Sequence, residues 1–144
     1  MNVQAMLAHK GGRVVTTRPD ATISTAIRML KLEGIGALAV SLDGEHLQGI
    51  ISERDIVRSL VTHGAELLQM RVAEIMTPSV KTCTPQDNIK HVMSEMTRSR
   101  IRHLPVMQDG KLCGMISVGD VVKNRLDDLQ TEANVLRDYI VARG

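Results

Sequence analysis

The first half of the chain alternates between short apolar runs typical of strands and longer stretches with helical spacing. Residues 13–17, 35–42 and 47–52 are the apolar runs, and each predicts a β-strand. Asp43-Gly44 stands between the second and third runs, and this dipeptide favours a tight turn in a β-hairpin. We therefore expect a small sheet in which the second and third strands pair.

The helical stretches carry their apolar residues three and four positions apart. A short leading helix is expected before Gly11-Gly12, which would end it. A second helix begins after Thr22 as its N-cap and ends at Gly34. A third is expected over 55–62, with four residues facing the core: Ile56, Val57, Leu60 and Val61.

The same order of elements begins again at Val80. A strand is expected over 80–84, a helix follows Asn88 as its N-cap, and Asp109-Gly110 repeats the hairpin turn. The apolar face of the first-half helix, Ile23, Ala26, Ile27 and Leu30, has counterparts of the same kind: Ile89, Val92, Met93 and Met96. The spacing between counterparts shortens by one residue after the turn, which indicates a deletion in the second hairpin. The chain therefore encodes two copies of one β-α-β-β-α unit.

Each unit by itself would leave one face of its sheet and two helix stripes exposed to water. We therefore predict an α/β (α+β) fold in which the two units pack sheet to sheet about a pseudo-twofold axis. Residues 1–66 would hold the leading helix and the first unit, 67–125 a linker and the second unit, and 126–144 a final helix. In that helix Leu129, Leu136 and Ile140 recur at heptad-like spacing, which suits either self-association or covering of the sheet.

Composition argues against several classes of function. The net charge is only +2 and Tyr139 is the only aromatic residue, so the chain lacks the strong positive field and the stacking surfaces of nucleic-acid binders. No run approaches the ~20 apolar residues of a membrane span, and no apolar leader precedes a cleavage site. Cys83 and Cys113 are compatible with a disulfide, but they fit two buried thiols in a reducing compartment better. We expect a cytoplasmic protein that binds neither nucleic acid nor membrane.

One motif occurs in both units, where the last strand meets the following helix. It reads Gly49-Ile50-Ile51-Ser52-x-x-Asp55 in the first unit and Gly114-Met115-Ile116-Ser117-x-x-Asp120 in the second. The serine and the aspartate can form a capping box, which is a purely structural role. The same junction offers a carboxylate and unpaired backbone N–H groups, so it can also hold a polar small molecule. The two roles use different atoms and can coexist.

Two further motifs complete a family resemblance, namely Ile75-Met76-Thr77-Pro78 and Arg102-His103-Leu104-Pro105-Val106. Over about residues 3–125 the sequence resembles the tandem cystathionine-β-synthase (CBS) domain pair, also called a Bateman module. The resemblance implies a regulatory module without catalytic activity. It would bind an adenosine-containing ligand, such as AMP, ADP, ATP or NAD, in one or two clefts between the repeats. It also implies a flat homodimer, and an unidentified client protein is expected to receive the output.

The resemblance assigns ribose binding to Asp55 in one cleft and to Asp120 in the other, each facing the opposite repeat. The residues assigned to the first cleft are Ser52, Arg54, Asp55, Thr77, Thr82, Arg102, His103, Leu104 and Pro105. The residues assigned to the second cleft are Ser117, Gly119, Asp120, Gly11, Thr16, Gly36, Ala37 and Leu38. Adenine would lie among aliphatic side chains, and the candidates are Leu38, Ile51, Leu104 and Ile116.

Arg102 and His103 form the basic pair that the resemblance assigns to phosphate. The equivalent positions in the first repeat hold Gly36 and Ala37. A phosphorylated ligand is therefore expected at Asp120 only if Arg102 or His103 reaches across the axis. Arg98, Arg100 and Arg102 alternate, so a strand would place them on one face, and we expect Arg98 and Arg100 to be merely solvated.

Two other classes of function are considered. A ligand-free dimerisation or docking scaffold would bind a client through the final helix and methionine-rich surfaces. An enzyme is disfavoured because no nucleophile, base and orienting group fall together in the sequence. The five histidines also lack the spacing of a metal site.

Overall fold

The computed structural model describes residues 1–11 and 14–143. Gly12 and Arg13, assigned above to the end of the leading helix and the start of the first strand, lie outside the described residues, as does Gly144. The helices are α1 (Val3–Lys10), α2 (Ile23–Glu33), α3 (Glu53–His63), α4 (Val72–Ile75), α5 (Ile89–Ser99) and α6 (Val118–Arg143). The strands are β1 (Thr16–Thr17), β2 (Ala37–Val40), β3 (Gly49–Ser52), β4 (His103–Gln108) and β5 (Lys111–Ser117). A 3₁₀ helix spans Gly64–Gln69.

The strands and helices of the first half form in the predicted order, but the hairpin loop runs from Ser41 to Gln48 rather than turning at Asp43-Gly44 alone. β1 pairs in parallel with β2, and β2 pairs antiparallel with β3. The side chain of Thr22 accepts a hydrogen bond from the Thr25 N–H at 3.2 Å, and Gly34 closes α2 in the left-handed conformation with φ 63°. A left-handed residue at this position favours glycine, which has no Cβ to clash.

The prediction that four apolar residues of α3 face the core is wrong for three of them. Ile56 is buried, but Val57, Leu60 and Val61 are 63%, 50% and 88% exposed. A helix turns by about 100° per residue, so Val57 and Val61 lie well round the helix from Ile56. The apolar stripe is therefore wider than the surface that α3 buries within one chain.

The second half repeats this order of elements, except that its first strand does not form. α5 begins at the predicted N-cap, since the Asn88 side chain accepts a hydrogen bond from the Lys90 N–H at 2.8 Å. β4 and β5 form an antiparallel hairpin with a register shift after Val106. The shift leaves Cys113 out of the pairing, because Val106 pairs with Gly114 and Met107 with Leu112.

The predicted strand at 80–84 does not form. Only Cys83 bridges the sheet, donating its N–H to the Pro105 carbonyl at 3.0 Å and accepting from the Met107 N–H at 2.8 Å. Directly afterwards the Asp87 carboxylate accepts hydrogen bonds from the N–H and the hydroxyl of Thr84, at 2.9 Å and 3.0 Å. This local turn directs the chain away from β4 after a single paired residue.

The two halves exchange the segments that close their cores. Val3 and Met6 of α1 are buried with the side chains of the second half, whereas Leu67 and Val72 from the linker are buried with those of the first. Backbone hydrogen bonds support both contacts: Val3 N–H donates to Asp87 at 2.9 Å, and Val72 N–H donates to Ala21 at 2.8 Å. The division at 66/67 placed α1 with the first unit, but its apolar side chains pack in the second core.

α6 continues without a break from the motif at Ser117 into the predicted final helix, so the division at 125/126 falls inside one helix of 26 residues. Val121 near its start is buried, but Leu129, Leu136 and Ile140 are 44%, 59% and 61% exposed. The distal part of α6 therefore does not cover the sheet. Within the described part of the chain, no helix is both long and apolar enough to cross a membrane.

Candidate functional site

Two cavities lie where the halves meet, one at each Ser-x-x-Asp junction. Cleft one has a volume of about 480 Å³ and opens at the start of α3. Cleft two has a volume of about 380 Å³ and opens at the start of α6. His103 and Gly36 line both cavities, so the two clefts are neighbours on either side of one pair of residues.

In cleft one, the geometry of Asp55 is compatible with both helix capping and ligand binding. Oδ2 accepts hydrogen bonds from the backbone N–H and the hydroxyl of Ser52, both at 2.9 Å, and the Asp55 N–H donates back to the Ser52 hydroxyl at 3.2 Å. Oδ1 accepts only a long hydrogen bond of 3.4 Å, from the hydroxyl of Thr77, within the described residues. One carboxylate oxygen thus forms the helix cap, while the other has capacity for a ligand hydroxyl.

Thr77 reaches Asp55 because the linker pairs with β3. Ile50 and Thr77 exchange two backbone hydrogen bonds of 3.0 Å and 2.9 Å. A Cβ on Gly49 would lie 2.7 Å from the Thr77 carbonyl oxygen, so the close approach requires glycine there. The glycine that opens the motif therefore brings a residue of the linker against the aspartate that ends it.

His103 lies between the two clefts and packs on Gly36. A Cβ on Gly36 would lie 3.2 Å from the His103 ring, so glycine at this position leaves space for the imidazole. Burial lowers the pKa of His103 below its usual 6.5, and the charge of Lys10 lowers it further, against the opposing effects of Asp120 and Glu53. Burial and Lys10 thus favour the neutral form of the ring.

Cleft two contains Asp120 with a cation already attached. Oδ2 accepts from the Ser117 N–H at 2.9 Å and from Lys10 Nζ at 2.8 Å. Burial by itself would raise the pKa of Asp120, but the hydrogen bonds from Lys10 and Ser117 hold it below its usual value. Asp120 is thus ionised at neutral pH and paired with Lys10.

Most residues predicted for the sites line the clefts. Those on cleft one are Ser52, Arg54, Asp55, Thr77, Arg102 and His103, and those on cleft two are Gly11, Gly36, Ala37, Ser117 and Asp120. The predicted residues that line neither cleft are Thr82, Leu104, Pro105, Thr16, Leu38 and Gly119. Thr82 and Leu104 instead line a smaller groove beside α5.

The residues proposed to surround adenine are not on the cleft surfaces. Leu38, Ile51 and Ile116 are fully buried and Leu104 is 1% exposed. Side chains alternate across a strand, so their neighbours Ile50 and Met115 point the other way and line cleft one and cleft two, respectively.

Several basic residues at the clefts are not predicted from the sequence. Arg58, Lys81 and Arg100 line cleft one, and Lys10 lines cleft two. Arg58 could have been found, because it follows Arg54 by one helical turn on α3. Lys10 could not, because its place depends on α1 crossing to the second half.

The three alternating arginines do not share a strand face. Arg98 belongs to α5 and Arg100 closes that helix in the left-handed conformation with φ 54°, so only Arg102 adjoins β4. Arg98 is also not merely solvated, because it pairs with Glu95, which Lys81 contacts at 2.7 Å. Hydrogen bonds from Lys81, Arg98 and Ser99 lower the pKa of Glu95 to about 2.

Asp43, Glu45 and His46 lie within 4.8 Å of one another on the exposed first hairpin. The Asp43 carboxylate accepts backbone hydrogen bonds from His46 at 2.8 Å and from Glu45 at 2.9 Å, and a further one from the His46 ring. These bonds hold the pKa of Asp43 well below its usual range. These hydrogen bonds explain the cluster as a turn that the Asp43 side chain stabilises.

Fold and clefts together define a class of protein: two β-α-β-β-α repeats that clasp each other and enclose a pair of pseudo-equivalent polar cavities. The chain belongs to the CBS domain family, whose model matches residues 10–62 and 72–127. The predicted tandem pair and its α/β fold are confirmed by this match and by solved relatives. A crystal structure of a CBS-domain-containing protein from Agrobacterium tumefaciens is 41% identical, with a TM-score of 0.83 over 87% of this chain and 99% of that one.

Two further relatives bear on function. The mitochondrial CBS domain-containing protein CBSX3 of Arabidopsis thaliana is 38% identical over 84% of this chain and 61% of its own length. The chain thus spans less than two thirds of that relative. The CBS domain pair of protein MJ0100, solved in complex with 5-methylthioadenosine and S-adenosyl-L-methionine, is 25% identical with a TM-score of 0.77, over 89% of this chain and 98% of that one.

Proposed function

We propose that cleft one binds a phosphorylated adenosine ligand, such as AMP, ADP, ATP or NAD, and that the module regulates a client protein according to its occupancy. One observation carries the proposal: Asp55 keeps an acceptor oxygen in a cavity of about 480 Å³ that Arg102 and His103 also line. That volume lies within the ~300–1,000 Å³ of small-molecule sites. The MJ0100 pair supports the adenosine assignment, because its complex contains two adenosine compounds.

The chemistry of the cleft fits a sugar phosphate. Ribose hydroxyls would donate to the Asp55 carboxylate, and charged acceptors make the stronger hydrogen bonds. Phosphate would bind Arg54, Arg58 and Arg102, which line the same cavity. A ligand without phosphate would leave this group of arginines without an anion, so nucleotides are favoured over nucleosides.

Regulation would follow from a ligand that contacts both halves at once. Asp55 belongs to the first half and Arg102 to the second, so a bridging ligand stabilises the arrangement in which they converge. The ligand can shift the protein toward that arrangement only by the difference between its affinities for the two arrangements. This difference in binding free energy is what a client protein can respond to. We propose such sensing of adenine nucleotides rather than catalysis. Burial raises the pKa of the Cys83 thiol to about 12, so it stays protonated and unreactive.

We further propose a homodimer in the cytoplasm. Exposed apolar residues on α3 and on α6 support association with a second copy. Both cysteines, Cys83 and Cys113, are free thiols, which is typical of a reducing compartment. The same exposed surfaces favour the second candidate, a ligand-free docking scaffold whose only partners are proteins.

Asp55→Ala tests nucleotide binding in cleft one. We expect AMP, ATP or NAD affinity at this cleft to fall at least tenfold, because the ribose hydroxyls lose a charged acceptor, and isothermal titration calorimetry would measure it. The cap is lost as well, so circular dichroism must confirm that the variant is folded at the titration temperature. Asp127→Ala, an exposed position on α6, is the matched control.

The same titration separates the two candidate functions. No heat with any of the three nucleotides, on wild-type protein stripped of small molecules by gentle denaturation and refolding, would favour the scaffold. Mass spectrometry of the material released in that stripping step would identify the ligand.

A further inference from the structure

The ion pair between Lys10 and Asp120 has no counterpart in cleft one. Lys10 Nζ lies 2.8 Å from Asp120 Oδ2 and donates a second hydrogen bond of 3.0 Å to the Met115 carbonyl oxygen. In cleft one, within the described residues, Asp55 is contacted by hydroxyl and backbone groups of Ser52 and Thr77 but by no cation. Asp120 therefore has a cationic partner, whereas Asp55 has none among the described residues.

The pseudo-twofold axis shows which residue replaces Lys10 in cleft one. Leu7 of α1 packs on Gly114, as Met76 of the linker packs on Gly49, so Leu7 and Met76 are structural equivalents. Three positions further along, α1 carries Lys10 and the linker carries Ser79. Both line their clefts, Lys10 as the last residue of helix α1 and Ser79 beyond the end of α4, so the corresponding chain position of cleft one carries no cation.

Lys10 also compensates for the missing basic pair of cleft two. Gly36 and Ala37 occupy the positions equivalent to Arg102 and His103. Of the cleft-two lining residues that the structure describes, Lys10 is the one lysine or arginine, and burial disfavours the charged form of His103. Lys10 stands on a flexible four-carbon stem at the end of α1, so its ammonium group can move between nearby anions.

We propose that Lys10 makes cleft two selective for phosphorylated adenosine ligands. Before a ligand binds, its ammonium group is paired with Asp120. When a nucleotide binds, the ribose hydroxyls take the place of the ammonium group on the carboxylate, and the ammonium group moves to the phosphate. A nucleoside without phosphate offers no new anion, so its binding breaks the ion pair between Lys10 and Asp120, whose side chains are 39% and 23% exposed, without replacing it. This inference rests on the proposed adenosine-binding function.

An ion pair outside a ligand site would not change the preference for AMP over adenosine. The test therefore measures selectivity rather than affinity alone. Asp55→Ala is introduced first, to disable cleft one and isolate cleft two. Isothermal titration then compares AMP with adenosine in this background, with Lys10 intact and with Lys10→Gln. We expect Lys10→Gln to weaken AMP about fivefold and to strengthen adenosine about twofold to threefold. The AMP-to-adenosine affinity ratio would therefore fall by about tenfold, which is ~1.4 kcal/mol.

Lys90→Gln, an exposed lysine on α5 away from both clefts, is the matched control and should leave the ratio unchanged. An equal ratio for Lys10 and Lys10→Gln would overturn the inference while leaving nucleotide binding intact. AMP that binds wild-type protein but not the Asp55→Ala background would overturn it too, since cleft two would then be no nucleotide site. If wild-type protein binds neither compound, the proposed function itself fails.

Discussion

At the scale of single residues, one aspartate in each half combines a structural and a binding role. The Ser-x-x-Asp pattern predicts both Asp55 and Asp120, and both form the expected capping contacts with their serines. The pattern does not reveal that their outward surroundings differ. Lys10 is far from Asp120 in the sequence, and only the crossing of α1 into the second half brings the two together.

His103 predicts a pH dependence of nucleotide binding. Its pKa is lowered by burial and by Lys10, whereas a bound phosphate would raise it, so binding takes up a proton. Affinity for AMP should therefore increase about threefold to tenfold from pH 7.5 to pH 6 relative to His103→Gln. Comparison with that variant removes the titration of the phosphate itself. Parallel pH profiles for the two proteins would contradict the prediction.

The sign is opposite for the stability of the free protein. The folded pKa of His103 lies below the unfolded value of 6.5, so the unfolded chain binds the proton more tightly. The contribution of the neutral ring to stability is complete above pH 6.5 and is lost as the pH falls through the lowered folded pKa. Bound nucleotide should offset this loss.

At the scale of elements, local signals predicted the helices well and the paired strands only in part. The caps Thr22 and Asn88 mark the true starts of α2 and α5. The strand expected at 80–84 is missing because Thr84 and Asp87 form a turn that competes with pairing. The wrong inward face of α3 has a different cause, since the periodicity of a sequence does not distinguish an apolar stripe that packs in a core from one that stays exposed.

α6 carries an apolar face that is exposed among the described residues, and its spacing supports the proposed second copy as the partner. Apolar residues follow each other at alternating steps of four and three: Val122, Leu126, Leu129, Ala133, Leu136 and Ile140. These are the a and d positions of a coiled coil. In a parallel pair, Glu132 at a g position would face Arg137 at the following e position of the other copy, which is a complementary charge pair.

Leu136→Glu should therefore shift the proposed dimer toward monomer, because it places a charge in the apolar seam. Light scattering coupled to size-exclusion chromatography, over a range of protein concentrations, would measure the change. Val135→Glu is the matched control, since it adds the same charge to the same turn outside the seam, at a position 64% exposed. Equal behaviour of the two variants would exclude α6 as the dimer interface.

For the molecule as a whole, the sequence repeat predicts two similar halves, but it does not predict which segments complete their hydrophobic cores. From the order of the sequence, α1 is expected to pack in the first half and the linker in the second half. In the structure each segment completes the other core, with Met6 in the second and Leu67 in the first. This exchange places Lys10 and Ser79 at the clefts and makes each half depend on a segment carried by the other.

That dependence predicts a single cooperative unfolding transition. Met6→Ala and Leu67→Ala, which remove buried side chains 5% and 1% exposed from opposite cores, should each cost about 2–5 kcal/mol. Both variants should keep one transition in urea, with circular dichroism and amide hydrogen exchange reporting the same midpoint, because each core is closed by a segment from outside its own repeat. A Met6→Ala protein whose second half unfolds first, while amides of β2 and β3 remain protected, would mean that the halves are independent. In that case a ligand bridging them could not couple its binding energy to the whole module.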